Sequence, residues 1–211
     1  YSGRLVSLGT LLAVYVATSD EAIPILLSSP GSASSVWRLI AAKVIIAVLA
    51  GLAVDGAVKL LHKKSNEDNE PYTDLCKDCG CEEHGIFYSA VKHTLQIFIF
   101  LLAVSFLLGA GIALLGEQRL NQVLMTDSVF QPLLAALIGL IPNCAPSVIL
   151  TNLYINGSLS FGSVVAGLST GAGLGLVVLF RTNKRLKENI AITILLYVVG
   201  AVSGMIIELL F

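Results

Sequence analysis

Ile141-Pro142-Asn143-Cys144-Ala145-Pro146-Ser147 is the stretch on which the reading of this chain turns. Apolar residues flank it, Val129 to Leu140 before and Val148 to Ile155 after. Pro142 and Pro146 cannot sit in one uninterrupted helix, because each lacks a donor N–H and its ring crowds the preceding turn. Broken backbone among residues this apolar is tolerated where protein buries it or where it lines a wet cavity. Discontinuous helices at mid-membrane depth are how many transporters build their sites. Asn143, Cys144 and Ser147 at such a break are candidate ligands. The bland alternative is a proline-kinked span whose polar side chains only satisfy freed backbone groups.

The surroundings support a membrane setting. Of 211 residues, 55% are hydrophobic and 13% charged, and the mean hydropathy is +0.85. Soluble domains carry about 25% charged residues, so the composition excludes a soluble enzyme and predicts a multi-pass protein of the cell (inner) membrane. A net charge of −1 with no basic face leaves nothing for nucleic acid to bind. The partners expected are the lipid bilayer, a metal-ion substrate and, as an option, further copies of the chain. Tyr1 opens in mid-pattern without a signal peptide, which reads as a piece of something longer.

Going outward from the break, Leu5 to Leu27 is long enough to span, since roughly 20 residues suffice. Thr18-Ser19-Asp20-Glu21 interrupts it, with Pro24 just beyond. Carboxylates within an apolar segment are expensive and are functional candidates by default. The alternative, that the segment ends at Ala17 with its acids in water, meets the apolar continuation Ala22 to Leu27. Val36 to Leu61 is the next span, with Trp37 and Arg38 as interfacial anchors, Lys43 able to snorkel, and Asp55 either facing inward or near the far boundary. Ile86 to Leu115, Leu159 to Phe180 and Asn189 to Phe211 complete the set, the last with Glu208 near its end. Gly162, Gly167, Gly171, Gly173 and Gly175 suit close helix packing; the alternative for Gly171 is that it opens backbone carbonyls to the site.

By the positive-inside rule, Lys63-Lys64 and the basic loop Arg181, Lys184, Arg185, Lys187 are both cytoplasmic. Segment 128–155 must then begin and end on the opposite face, which a single crossing cannot do. It reads as a re-entrant hairpin with the Asn143-Cys144 turn at its tip. Gly9 to Ala13, Thr18-Ser19 and Ala50 to Ala53 are echoed by Gly162 to Ala166, Ser169-Thr170 and Val199 to Val202. The offset is about 150 residues, drifting by a few. Under this topology the two series run in opposite directions, an inverted repeat of the kind secondary transporters use. The fold expected is an all-α integral membrane bundle with inverted repeats and broken or re-entrant helices. Residues 1–61 end a first repeat, 62–85 form a cytoplasmic Cys/His-rich loop, and 86–211 make a second repeat.

Thr18-Ser19-Asp20-Glu21-Ala22, the Cys-rich loop and the Pro142-Asn143-Cys144 break together resemble a ten-helix heavy-metal exporter family, known variously as manganese transporters or arsenic efflux proteins. The resemblance covers essentially the whole chain and implies a family member truncated at its N-terminus. It implies export of a metal. Members carry a Pro-Gln-Cys-Gly-type motif in the first half, which this sequence lacks.

The candidate substrate ligands are Thr18, Ser19, Asp20, Glu21, Asn143, Cys144, Ser147, Asn152, Ser169 and Thr170. Carboxylate and carbonyl oxygens suit hard cations and a thiolate suits softer ones; Mn2+ lies between and is the favoured substrate. Ligands must be deprotonated to bind, so a carboxylate pair can trade metal for protons. In the loop, Cys76, Cys79, Cys81 and His84 place four soft ligands within nine residues, enough for a tetrahedral Zn2+ site. With the opposite topology a Cys76–Cys81 or Cys79–Cys81 disulfide is the rival. The function expected is export of a divalent transition-metal cation by proton exchange, with no enzymatic activity. Two other readings stay open: a membrane thiol oxidoreductase, and a metal sensor or scaffold in which only the loop binds metal.

Overall fold

The computed structural model describes residues 6–18, 21–29, 33–62, 130–183 and 185–210, with scattered helical positions between 91 and 110. The described residues form helices and turns without strands. We number the helices α1 (Leu8–Ala17), α2 (Ala22–Ser28), α3 (Ala33–His62), α4 (Gln131–Gly139), α5 (Ala145–Ile155), α6 (Phe161–Thr170), α7 (Leu174–Thr182) and α8 (Leu186–Leu210). Four segments are long and apolar enough to cross a bilayer: Leu8–Ser28, Ser34–Leu60, Phe161–Thr182 and Leu186–Leu210. Two of these, the first and third, are each broken into a pair of half-helices. The chain is an all-α membrane protein. The loop 62–85 falls, but for His62, outside the described residues, and the expected span Ile86 to Leu115 is described only at the scattered helical positions between 91 and 110.

The break at Pro142 lies where proline chemistry requires it. Helix α4 stops at Gly139, Leu140 turns, residues 141–144 form bends, and α5 starts with Pro146 in its first turn, where a missing N–H costs nothing. At about 1.5 Å per residue, neither α4 nor α5 is long enough to span. Their far ends meet. The Gln131 amide donates to the Ser158 carbonyl (3.3 Å) and its oxygen accepts from the Ser160 N–H (3.3 Å) and the Ser163 hydroxyl (2.9 Å). Residues 131–160 therefore leave and return to one place, with 140–144 as the tip.

Lipid tails are as apolar as leucine, so helices in a membrane associate through close packing rather than through exclusion of water. Glycine makes that packing. Helix α6 lies against α4, where a Cβ on Gly139 would collide with the Gly167 carbonyl and one on Gly167 would fall 2.9 Å from the Ala135 carbonyl. The Thr170 hydroxyl donates across the same contact to the Ala136 carbonyl (2.8 Å). A larger apolar cluster joins Leu26, Leu39, Ile138, Leu150, Leu153, Val165 and Leu168 from five helices.

One unit is built twice. Ser7 and Ser160 cap α1 and α6 in the same way, each accepting at 3.1 Å from the backbone N–H three residues on. Helix bounds follow: Leu8 and Phe161 start, Ala17 and Thr170 end, and the long helices begin at Ala33 and Leu186, displaced by 153 residues in each case. Gly9 faces Gly51 and Asp55, while Gly162 faces Gly204 and Glu208, at the same displacement. The match to Gly51 is thus Gly204 rather than Gly200, and Thr18-Ser19 aligns with Gly171-Ala172 rather than with Ser169-Thr170. The drift in the sequence offset disappears. The reason is the glycine spacing: Gly200 and Gly204 sit one helical turn apart on α8, so the sequence alone fits either.

Candidate functional site

Three chain breaks converge. Thr18 and Glu21 from the α1–α2 break, Asn143, Cys144 and Ser147 from the hairpin tip, and Gly171, Ala172, Gly173 and Leu174 from the α6–α7 break line one cavity of about 370 Å³. Helices α2, α5 and α7 begin at this cavity, with Glu21, Cys144 and Gly173 as their N-cap residues. Helices α1 and α6 end at it. Helix N-termini carry partial positive charge and C-termini partial negative charge, so the walls present both signs from backbone alone.

The α6–α7 break depends on glycine at one place. Gly173 has φ 53° and ψ −140°, a conformation that L side chains rarely adopt. It lets the chain turn and begin α7 at Leu174 without a side chain filling the cavity. Tyr15 braces this turn, its hydroxyl donating to the Gly175 carbonyl at 3.0 Å.

At the hairpin tip, Asn143 Oδ1 accepts from the Ala145 N–H at 3.4 Å and from Cys144 Sγ at 3.2 Å. Asn143 thus satisfies a freed backbone donor, as the bland alternative has it, and also orients the thiol. Cys144 is exposed. The Thr18 hydroxyl donates to the Tyr15 carbonyl at 2.8 Å, finishing α1. Glu21 is half-buried at the start of α2. The cavity therefore offers one carboxylate, one thiol, an amide oxygen, two hydroxyls and backbone carbonyls. Among the described residues, no group of three or more His, Cys, Asp and Glu side chains gathers anywhere.

Of the ten candidate ligands, five line the cavity: Thr18, Glu21, Asn143, Cys144 and Ser147. Ser19 and Asp20 lie outside the described residues, as do Cys76, Cys79, Cys81 and His84 of the loop. Asn152 does not reach the cavity; it is exposed on α5, five residues beyond Ser147. Ser169 and Thr170 are fully buried within α6. The Thr170 hydroxyl is engaged with α4 and with its own helix, and Ser169 Oγ has no hydrogen-bond partner among the described residues. Both lie a residue or two short of the break, with side chains turned into the packing.

Lys43 departs from the sequence reading. It does not snorkel: it is 2% exposed, and its ammonium donates to the carbonyls of Thr18 and of Leu168, the latter at 2.8 Å. A lone lysine in the middle of an apolar span was the available signal, outweighed by the length of its stem. Asp55 is also more than a boundary charge. Its carboxylate accepts from the Ser7 hydroxyl (2.6 Å) and the Gly9 N–H (2.8 Å), capping α1 from α3.

A protein-family model described as "Putative, 10TM heavy-metal exporter" matches residues 86–211. No curated protein and no solved structure matches the chain.

Proposed function

The chain belongs to that heavy-metal exporter family, and on this premise we propose that it exports a divalent transition-metal cation, with Mn2+ favoured, in exchange for protons. What supports the reading is the convergence of three broken segments on a cavity holding Glu21 and Cys144. Carboxylate and amide oxygens favour a hard cation and the thiol a softer one, and Mn2+ accepts both. Asp20, adjacent in sequence, would add the second carboxylate. Metal binding to carboxylates expels their protons, so loading from one side and protonation from the other would drive exchange.

The doubled unit supports the same reading. In our proposal α1–α3 and α6–α8 are inverted-topology repeats, the arrangement on which alternating access is built. The hairpin α4–α5 is then a re-entrant element reaching the midplane, and the loop Cys76, Cys79, Cys81 and His84 a separate Zn2+ site on the cytoplasmic side.

Elemental analysis of purified protein loaded with Mn2+, Zn2+, Cd2+ or arsenite tests this. Metal is expected to stay on a Cys76→Ser/Cys79→Ser/Cys81→Ser variant and to leave an Asp20→Asn/Glu21→Gln variant. If all binding vanishes with the loop cysteines, the cavity is not the metal site.

A further inference from the structure

Lys43 sits where two helices end. Its ammonium joins the carbonyl of Thr18, just past α1, to that of Leu168, in the last turn of α6. These are the negative ends of two half-helices, from opposite halves of the molecule. Unwound carbonyls and half-helix C-termini are where membrane transporters coordinate small monovalent cations. Here a side chain brings the positive charge.

The other half of the molecule shows that the scaffold does not demand it. At the same displacement of 153 residues, the position of Lys43 on α3 is that of Leu196 on α8. Leu196 is fully buried, packed with Leu12, Val16, Leu176 and Ile192. An apolar residue therefore fits this register of the long helix. Burying an ammonium is expensive unless other groups replace its water, and the carbonyls of Thr18 and Leu168 are among those that do so.

We propose that the Lys43 ammonium is a tethered cation: it takes the place of a bound monovalent cation at the junction of α1 and α6 and holds the two half-helices together. Ammonium and potassium ions are close in size, so removing the side chain leaves a space bordered by the Thr18 and Leu168 carbonyls that a free cation of that class fills. The proposal rests on the discontinuous-helix site but not on which ion is carried, and its readout is thermal. A chain that moves no metal can still pass this test, and a metal exporter can fail it.

The test compares wild type, Lys43→Ala and Lys43→Met in detergent, by thermal unfolding in choline chloride and then in potassium or ammonium chloride at equal ionic strength. Lys43→Ala is expected to melt several degrees lower in choline and to recover saturably with potassium or ammonium. Wild type and Lys43→Met, whose space is filled, are expected not to respond. A Lys43→Ala protein indifferent to the cation, or one that responds only as much as wild type does, overturns the proposal. If Lys43→Ala cannot be purified in choline, purification in potassium throughout decides: recovery there supports the tethered cation, and loss in both salts overturns it.

Discussion

Between Ser7 and His62, and again between Ser160 and Leu210, the chain builds a serine-capped half-helix, a break, a second half-helix and a long helix. The two units share their glycine contacts and differ in charge. Where the first has Thr18-Ser19-Asp20-Glu21, the second has Gly171-Ala172-Gly173-Leu174, and Lys43 faces Leu196 across the comparison. One half supplies ionisable groups, the other bare backbone. The scaffold is duplicated and the ionisable groups are not, so under the proposed function a single ion would find its carboxylate in one half alone.

The largest expected effect breaks that asymmetry at its acidic end. Asp20→Asn/Glu21→Gln should lower metal transport into proteoliposomes more than about tenfold, since losing ligands or their supports costs at least that much. Leu174→Gln, at the matching place in the second half, removes no ionisable group from the cavity and should lower transport less. Equal losses would mean that both halves serve the ion alike.

Glycine substitutions probe what the halves share. Gly9→Ala drives a Cβ into the Gly51 carbonyl, and Gly162→Ala places one 2.6 Å from the Gly204 carbonyl. Overpacking of this kind costs about 1–3 kcal/mol. Denaturation midpoints should fall for both, and a loss in only one would show that the two crossings are not equivalent. The caps sharpen the contrast. Asp55→Ala removes two hydrogen bonds from the start of α1 and should cost about 1–2 kcal/mol. Exposed Glu208, beside Gly162, contributes about 0.3–1 kcal/mol through the α6 terminus alone, so Glu208→Ala should shift the midpoint less. The smallest effect has the opposite sign. Gly56 has open space around its Cβ position and corresponds to Leu209, so Gly56→Ala should stabilise by about 0.5 kcal/mol.

Much of this architecture is legible without coordinates, because proline and carboxylates in apolar sequence leave few options. Pro142 and Pro146 mark the hairpin tip, and Thr18 to Glu21 mark the break in the first span. The second span break is legible only as an option at Gly171. Leu159 to Phe180 reads first as a packed span, since glycine breaks a helix only when its neighbours leave it unsupported, and Gly162 and Gly167 in the same run do not. Ser169 and Thr170 look like ligands for the same reason: they stand one or two residues before the break, with side chains that the fold turns into the packing. Lys43 was missed because a long stem on an apolar helix can reach water or carbonyls, and only the fold decides which.

The Gln131 clasp has a mechanical consequence. One amide binds the foot of α4 to the segment following α5, while the other end of the hairpin carries Asn143 and Cys144. With both feet held at one place and α4 packed on α6 as far as Gly139, the hairpin is a closed staple rather than a free arm. A shift of Asn143 and Cys144 against the cavity therefore requires α4 or α5 to bend, or the clasp and the Gly139–Gly167 crossing to give together.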